Sequence, residues 1–254
     1  MSGSNDYIAV FDSGVGGISV LRHLRTELPN ERFLYFGDSA NAPYGTRPRS
    51  QIRQLTLAAA AKLMDRGCKA LVVACNTATA AAIEELRREY PEKIIIGIEP
   101  ALKIASDRFP GGTVGVMATP ATLREEKFAR LLHRFSDHCQ VVQLPAAGLV
   151  ELVEEGKGNG PEAETLLEPL LEPYRNKLDA VVLGCTHYPF AGEVIARLLG
   201  EKTLLLDGGP GTARETRRRL AQADLLSHGP GEIIIENSAS CPNMTARCWA
   251  LLEE

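Results

Sequence analysis

Two cysteines occupy matching places in this chain, each at the end of an apolar run. Cys75 follows Leu71–Ala74 and precedes an asparagine and a threonine, and Cys185 follows Val181–Gly184 and precedes a threonine and a histidine. An apolar run bounded by small and polar residues predicts a buried parallel strand, whose carboxyl end lies at the ligand-binding edge of a sheet. Two thiols in such equivalent places indicate a reaction that needs one thiol on each side of a substrate.

Two other interpretations of these cysteines remain open. Free cysteine is among the most buried residue types, so either thiol alone could be a packing residue. Cys75, Cys185 and His187 could also form a zinc site, but only Cys185 and His187 are closely spaced, with one residue between them, so no metal is expected. The remaining cysteines have no comparable context and are predicted to pack in the core or lie on the surface: Cys68, Cys139, Cys241 and Cys248.

His187 lies two residues after Cys185, where it could assist that thiol. A cationic or hydrogen-bonding neighbour favours the thiolate, which is the reactive form of cysteine. Glu154 could orient His187, although the sequence alone favours a carboxylate exposed to solvent on a helix at this position.

A glycine-rich turn follows the first predicted strand and begins with Asp12 and Ser13. Ser13 suits the N-cap of the next helix. A nucleotide-binding loop is disfavoured, because Ser19 stands where the dinucleotide fingerprint has glycine and the lysine of a P-loop is absent. The backbone N–H groups of the turn could instead hold a carboxylate. A second loop, Asp38–Gly45, follows the next predicted strand and is expected at the same edge of the sheet as Asp12 and Cys75.

Strands alternate with helices along most of the chain, which indicates an α/β fold with mainly parallel sheets covered on both faces. The predicted strands cover residues 7–11, 33–36, 71–74, 94–98, 113–117, 141–144, 180–183 and 203–206. The predicted helices cover residues 18–28, 50–66, 78–90, a segment after Pro120, 162–176 and 191–199.

The series divides into two similar halves, because the segment around Asp12 and Ser13 matches that around Ala118 and Thr119 in position. We predict two pseudo-symmetric three-layer α/β domains facing a central cleft that holds the active site. The first domain is expected to comprise residues 1–99 and 208–254, and the second residues 100–207.

Composition excludes several classes of protein. The 254 residues carry a formal net charge of −4, which gives no electrostatic case for binding nucleic acid. No apolar run approaches the roughly 20 residues that span a bilayer, and the first residues lack the features of a signal peptide. We therefore expect a cytoplasmic protein that does not bind membranes.

Several motifs, taken in order, resemble those of the glutamate racemases, within the aspartate/glutamate racemase superfamily. The similarity runs from about residue 7 to about residue 210, and it is carried by Phe11–Gly17, Asp38–Gly45, Ala74–Ala80, Gly97–Ala101 and Gly184–Pro189.

The resemblance implies racemisation of L- and D-glutamate by two thiol bases without a cofactor, supplying D-glutamate for peptidoglycan, in a homodimer. By this resemblance Cys75 serves one face of the substrate, assisted by Asp12. Cys185 serves the other face, assisted by His187, which Glu154 orients. The residues implied to bind the substrate are Asp12, Ser13, Tyr44, Gly45, Asn76, Thr77, Thr119, Thr122, Thr186 and His187.

Two alternatives to this function stay open. One is a racemase of the same superfamily that acts on aspartate or a hydantoin. The other is a non-catalytic protein that binds an amino acid or a partner such as DNA gyrase, although a binding module has no need of two matched cysteines.

Overall fold

The computed structural model describes residues 6–135, 138–239 and 242–254, with the side chains of Lys127 and Pro242 left aside. The chain forms two compact units. Unit 1 comprises the described residues up to Ile98 together with those from Gly209 to Glu254, and unit 2 comprises Glu99–Gly208. Cys241 lies outside the described residues, so its predicted packing role stays a prediction.

Unit 1 contains a parallel sheet with helices on both faces. Its elements are β1 (Tyr7–Asp12), α1 (Ile18–Glu27), β2 (Arg32–Gly37), α2 (Arg49–Asp65), β3 (Ala70–Val73), α3 (Asn76–Glu89), β4 (Ile94–Gly97), α10 (Gly209–Gln222), β9 (Glu232–Asn237) and α11 (Pro242–Glu253). The strand order is β4-β3-β1-β2-β9, with every neighbouring pair parallel. All residues of β1 are buried. Helix α1 packs against α10 and α11, whereas α2 packs against α3.

Unit 2 contains a second parallel sheet. Its elements are α4 (Leu102–Arg108), β5 (Thr113–Ala118), α5 (Pro120–Arg124), α6 (Glu126–Phe135), β6 (Gln140–Pro145), α7 (Leu149–Glu154), α8 (Pro161–Leu171), β7 (Ala180–Leu183), α9 (Gly192–Leu199) and β8 (Leu204–Asp207). The strand order is β6-β5-β7-β8, again all parallel.

Successive residues of β7 enter two different cores of unit 2. Ala180 and Val182 pack with Phe128 of α6, whereas Val181 and Leu183 join a cluster that contains residues of α7, α8 and α9. Side chains of a strand alternate between the two faces of its sheet, so this pattern places helices on both faces. Unit 2 therefore has three layers.

The two units share one topology. The first four strands of unit 1 lie in the order β4-β3-β1-β2, and the strands of unit 2, listed from the β8 edge, lie in the order β8-β7-β5-β6. In both units the order is fourth, third, first and second strand of that unit. The chain leaves the third strand of each unit in the same way, because Ala74 N–H donates to the carbonyl of Phe11 and Gly184 N–H donates to that of Met117. Cys75 and Cys185 therefore occupy equivalent positions.

The predicted α/β class with two similar parallel-sheet domains is confirmed. The structure adds elements that the sequence did not predict, notably β9 and α11 in unit 1. Helix α8 ends at Leu171, five residues before the predicted end, and a short 3-10 turn containing Pro173 follows it. No helix in the described part of the chain is long and apolar enough to cross a membrane.

Candidate active site

Cys75 lies between the end of β3 and the start of α3. It is the N-cap residue of α3, and its Sγ accepts a hydrogen bond from the backbone N–H of Ala78 at 3.4 Å. The thiol in turn donates to Ser13 Oγ, also at 3.4 Å. Cys75 is 5% exposed. The positive end of a helix favours negative charge at its N-terminus, so this position stabilises a thiolate.

Asp12 ends β1 and is fully buried. Its Oδ1 accepts a hydrogen bond from Gly14 N–H at 3.0 Å. The turn needs glycine at position 17, because a Cβ there would lie 2.5 Å from the Cβ of Asp12. Helix α1 begins at Ile18, with Gly17 as its N-cap. The interpretation of Ser13 as a helix cap is therefore wrong, and the Ser13 hydroxyl contacts Cys75 instead.

Tyr44 joins the same edge of unit 1. Its ring lies 6.4 Å from that of Phe11 in β1, and its O–H donates to Asp38 Oδ2 at 2.7 Å. Burial is the largest cause that raises the pKa of Tyr44, and the hydrogen bond to Asp38 is the second. Electrostatic interactions with Cys75 and Asp12 raise it as well. Gly45, the next residue, is buried. Tyr44 therefore remains a neutral hydrogen-bonding group.

Asn76 and Thr77 form the first turn of α3 and are both buried. The Oδ1 atom of Asn76 is buried without a hydrogen-bond partner. An unpaired buried polar atom is costly, so a buried amide in this state is available to a ligand.

Cys185 occupies the equivalent place in unit 2, with different neighbours. It is 8% exposed, and its Sγ lies 3.8 Å from His187 Nδ1. The other ring nitrogen, Nε2, lies 2.7 Å from Glu154 Oε1 at the end of α7. The Glu154 side chain is only 14% exposed, so the expectation of a carboxylate exposed to solvent is wrong.

The pKa of His187 is raised well above its ordinary value. Burial lowers the pKa, but the hydrogen bonds and charges of Cys185 and Glu154 outweigh burial and raise it. The raised pKa favours the imidazolium form of His187, in which each ring nitrogen carries an N–H that faces one of the two partners.

The three predicted threonines of unit 2 are buried. Thr119 caps α5, because Thr122 N–H donates to its Oγ1 at 3.3 Å, and the two hydroxyls lie 3.0 Å apart. Thr186 stands between Cys185 and His187. The side-chain hydroxyls of Thr119 and Thr122 thus follow β5 as Ser13 follows β1.

Two further groups support the predicted residues. Asp38, which the sequence placed in the polar loop without singling it out, accepts hydrogen bonds from Tyr44 and Asn41. Its position directly after β2, close to the place of Asp12 at the end of β1, was the available signal. Tyr188 is fully buried, and its O–H donates to the carbonyl of Ala146 at 2.9 Å. That bond ties the segment carrying Cys185 to the segment after β6.

The cysteines outside the two sites have structural surroundings. In the described part of the chain, Cys68, Cys139 and Cys248 form no disulfide and are buried, in agreement with the prediction. Across the residues that the structure describes, no group of three or more histidine, cysteine or acidic side chains could hold a metal ion.

Residues 17–216 match the model of the Asp/Glu/Hydantoin racemase family. A glutamate racemase of Clostridium perfringens (strain SM101 / Type A) is 46% identical over 237 residues, which cover 92% of this chain and 91% of the relative.

Two solved structures are similar over almost the whole chain. Glutamate racemase from Francisella tularensis subsp. tularensis SCHU S4, in complex with D-glutamate, has a TM-score of 0.85 and 30% identity, covering 99% of this chain and 95% of that one. Escherichia coli glutamate racemase, in complex with L-glutamate and the activator UDP-MurNAc-Ala, has a TM-score of 0.83 and 31% identity, covering 97% and 94%.

The chain therefore belongs to the Asp/Glu/Hydantoin racemase family, a class of isomerases. Within that family, identity over nearly the full length groups it with the glutamate racemases, which confirms the resemblance found in its motifs.

Proposed function

We propose that this chain interconverts L- and D-glutamate without a cofactor, using the thiols of Cys75 and Cys185 as two bases. The observation that carries the proposal is the equivalent position of two buried cysteines outside any disulfide, each two residues after the third strand of its unit. The relatives whose structures hold D-glutamate and L-glutamate support this choice of substrate.

The proposed reaction needs both thiols to act on the same Cα. One cysteine, as the thiolate, takes the Cα proton and leaves the electron pair on carbon as a carbanion. The other cysteine, as the neutral thiol, donates its proton to the opposite face, and the configuration is inverted. The two thiols then exchange their protons with solvent before the next turnover, and the reverse reaction uses the same groups in the opposite roles.

In the proposed site, unit 1 supplies Asp12 and Ser13 to Cys75. Ser13 accepts the thiol proton in a hydrogen bond while Cys75 is neutral. The Ala78 N–H at the start of α3 stabilises the sulfur once it is charged. Asp12 is proposed to assist proton transfer at Cys75.

In unit 2 the proposed assistant is His187. Its imidazolium, 3.8 Å from Cys185, stabilises a thiolate there and supplies a proton when that thiolate must be reprotonated. Glu154 holds the ring through Nε2, so that Nδ1 faces the sulfur. Glu154 is thus a positioning residue in the proposal.

The remaining predicted residues are proposed to hold the carboxylates and the amine of glutamate. Their common feature is a buried N–H, O–H or amide group at the end of a strand or the start of a helix. Such preorganised dipoles lower the cost of the carbanion, since no cofactor delocalises its charge. The set comprises Ser13, Tyr44, Gly45, Asn76, Thr77, Thr119, Thr122 and Thr186.

The biological role that we propose is the supply of D-glutamate for peptidoglycan synthesis. It rests on the resemblance to the glutamate racemases and on the proposed reaction. The predicted homodimer and the predicted cytoplasmic location stay predictions.

Proton exchange at Cα tests this proposal. Metal-stripped protein is incubated in deuterated water with L-glutamate and, separately, with D-glutamate, while circular dichroism and deuterium incorporation are followed. We expect the optical signal to decay to zero from both enantiomers. Early in the reaction the product carries deuterium and the recovered substrate does not, because two different thiols remove and return the proton.

Two outcomes would contradict the proposal. A product that retains the original hydrogen would indicate a single base, and no exchange with either enantiomer would remove the glutamate assignment and make aspartate the next substrate to test. Cys68→Ala and Cys139→Ala are the matched controls, since each removes a buried thiol outside the two sites. Both variants are expected to racemise glutamate like the original protein.

A further inference from the structure

Tyr35 of β2 is fully buried, and its hydroxyl reaches the turn that follows β1. The O–H donates to the carbonyl of Gly14 at 2.5 Å. Tyr35 is in register with Val10, two residues before the end of β1, and its hydroxyl reaches Gly14, two residues beyond that end. No motif in the sequence marks Tyr35 as a functional residue.

Gly14 connects Tyr35 with the groups around Cys75. The N–H of Gly14 donates to Asp12 Oδ1, and its carbonyl accepts from Tyr35. The neighbouring residue on the N-terminal side of Gly14 is Ser13, whose hydroxyl contacts Cys75 Sγ. One glycine is therefore held on both sides, and the residues directly before it are those proposed to serve Cys75.

Strand β2 has a glycine, Gly37, next to the carbonyl of Gly14. A Cβ at Gly37 would lie 2.6 Å from the Gly14 oxygen and 3.3 Å from Cε1 of Tyr35. The absence of a side chain at Gly37 thus leaves room for the Gly14 carbonyl and the tyrosine ring together. The hydroxyl of Tyr35 and the missing side chain of Gly37 therefore both fit the position of the Gly14 carbonyl.

We propose that Tyr35 is a positioning residue for the Cys75 half of the reaction, and this inference rests on the proposed two-thiol racemisation. Its hydroxyl fixes the Gly14 carbonyl, and the fixed turn keeps Ser13 in contact with Cys75 and Asp12 bonded to the Gly14 N–H. Without the hydroxyl, a buried carbonyl loses a donor, and the turn shifts to find another. Groups acting on Cys185 belong to unit 2 and do not depend on this turn.

The test must separate the two halves of the reaction. Racemisation has an equilibrium constant of one, so kcat/KM is equal in both directions and cannot report on one thiol alone. The two enantiomers of a single diastereomer of 3-chloroglutamate avoid this constraint, because their elimination needs one base. The thiolate takes the Cα proton, a Cα–Cβ double bond forms as chloride leaves with its electron pair, and hydrolysis of the enamine gives 2-oxoglutarate and ammonium.

Cys75→Ala first identifies which 3-chloroglutamate enantiomer Cys75 deprotonates, since elimination from that enantiomer is lost. Tyr35→Phe is then expected to lower kcat/KM for the same enantiomer about tenfold, because small displacements of catalytic groups are costly. Elimination from the other enantiomer is expected to change less than twofold. The ratio of the two rates does not depend on the fraction of folded protein, so general destabilisation cannot produce the asymmetry.

Tyr7→Phe is the matched control, because Tyr7 is a buried tyrosine at the opposite end of β1 from Asp12. It should leave the ratio of rates unchanged. If Tyr35→Phe does not fold, Gly37→Ala disturbs the same carbonyl from the other side and should shift the ratio in the same direction.

Equal losses with both enantiomers, or no loss, would overturn the role of Tyr35. Failure of the proposed function itself looks different. In that case the original protein eliminates neither enantiomer, or Cys75→Ala affects both enantiomers alike.

Discussion

The two thiol sites have the same backbone position but different partners. Cys75 contacts a serine hydroxyl and the N-terminus of a helix, whereas Cys185 lies beside a histidine that is paired with a glutamate. The equivalence of the units places Thr77 where unit 2 has His187. Repeating the topology therefore keeps the thiols in matching places without fixing the charges around them.

The groups proposed to assist the two thiols also come from different segments of their units. In unit 1 it is Asp12, at the end of the first strand, where unit 2 has Ala118. In unit 2 it is His187, two residues beyond the cysteine. A carboxyl group proposed to assist one thiol and an imidazole proposed to assist the other predict that the two half-reactions differ in their dependence on pH.

The largest effect is expected from removing either thiol. Cys75→Ala and Cys185→Ala should each lower racemisation roughly 10³-fold or more, in the range of lost general acid–base catalysis. Each variant should still exchange the Cα proton of one glutamate enantiomer with retention, and the two variants should differ in which enantiomer that is. Proton NMR in deuterated water measures the exchange. If both variants exchange the same enantiomer, the thiols do not act on opposite faces.

An intermediate effect is expected from Glu154→Gln. The change removes the negative charge that helps to raise the pKa of His187, so that pKa should fall, as NMR titration of the imidazole would measure. With less imidazolium beside Cys185, kcat/KM should fall about tenfold near neutral pH, toward the lower limit for acid–base assistance. Glu155→Gln, at an exposed neighbouring position paired with Lys157, is the control and should change neither quantity.

The hydrogen-bonded pair of His187 and Glu154 predicts how the free energy of unfolding depends on pH. The pKa of His187 is higher in the folded protein than the roughly 6.5 of the unfolded chain, so folding takes up a proton. The contribution is complete below about pH 6.5 and is lost as pH rises through the raised pKa. Urea unfolding across this range should show the difference in stability between the original protein and Glu154→Gln shrinking with pH. A constant difference would contradict the assigned protonation.

The smallest effect is expected from Ser13→Ala. It removes one neutral hydrogen bond to the Cys75 thiol, worth about 1 kcal/mol, so kcat/KM should fall about fivefold. Thr56→Ala removes a buried hydroxyl bonded within α2 and is the control. A loss as large as that from Cys75→Ala would mean that Ser13 itself transfers the proton.

Most of the fold followed from local sequence patterns. Strands β1, β3, β5 and β7 consist almost entirely of apolar, buried residues, and such runs are predictable without knowing their neighbours. Strand β9 was missed because its three isoleucines lie between charged residues at an edge of the described sheet, where it pairs with β2.

The site was predictable to the extent that its residues follow strands. Cys75, Cys185, Asp12 and the residues next to them are found at strand ends, as their positions in the sequence indicated. The bond between Glu154 and His187 joins residues 33 positions apart, and no local pattern specifies it. The contact between Ser13 and Cys75 likewise depends on the pairing of β1 with β3, and local helix-capping preference alone gave the wrong interpretation.

The discontinuity of unit 1 has a consequence for the order of folding during synthesis. All the residues of unit 2 precede Gly209, whereas unit 1 still lacks α10, β9 and α11 at that stage. Until β9 is synthesised, β2 has an unpaired edge, along which six of its residues later pair with β9. The face of α1 that later contacts α10 and α11 is also uncovered at this stage. Unit 2 can therefore complete its core on the ribosome, while the domain that begins first finishes last and is the one exposed to aggregation in the nascent chain.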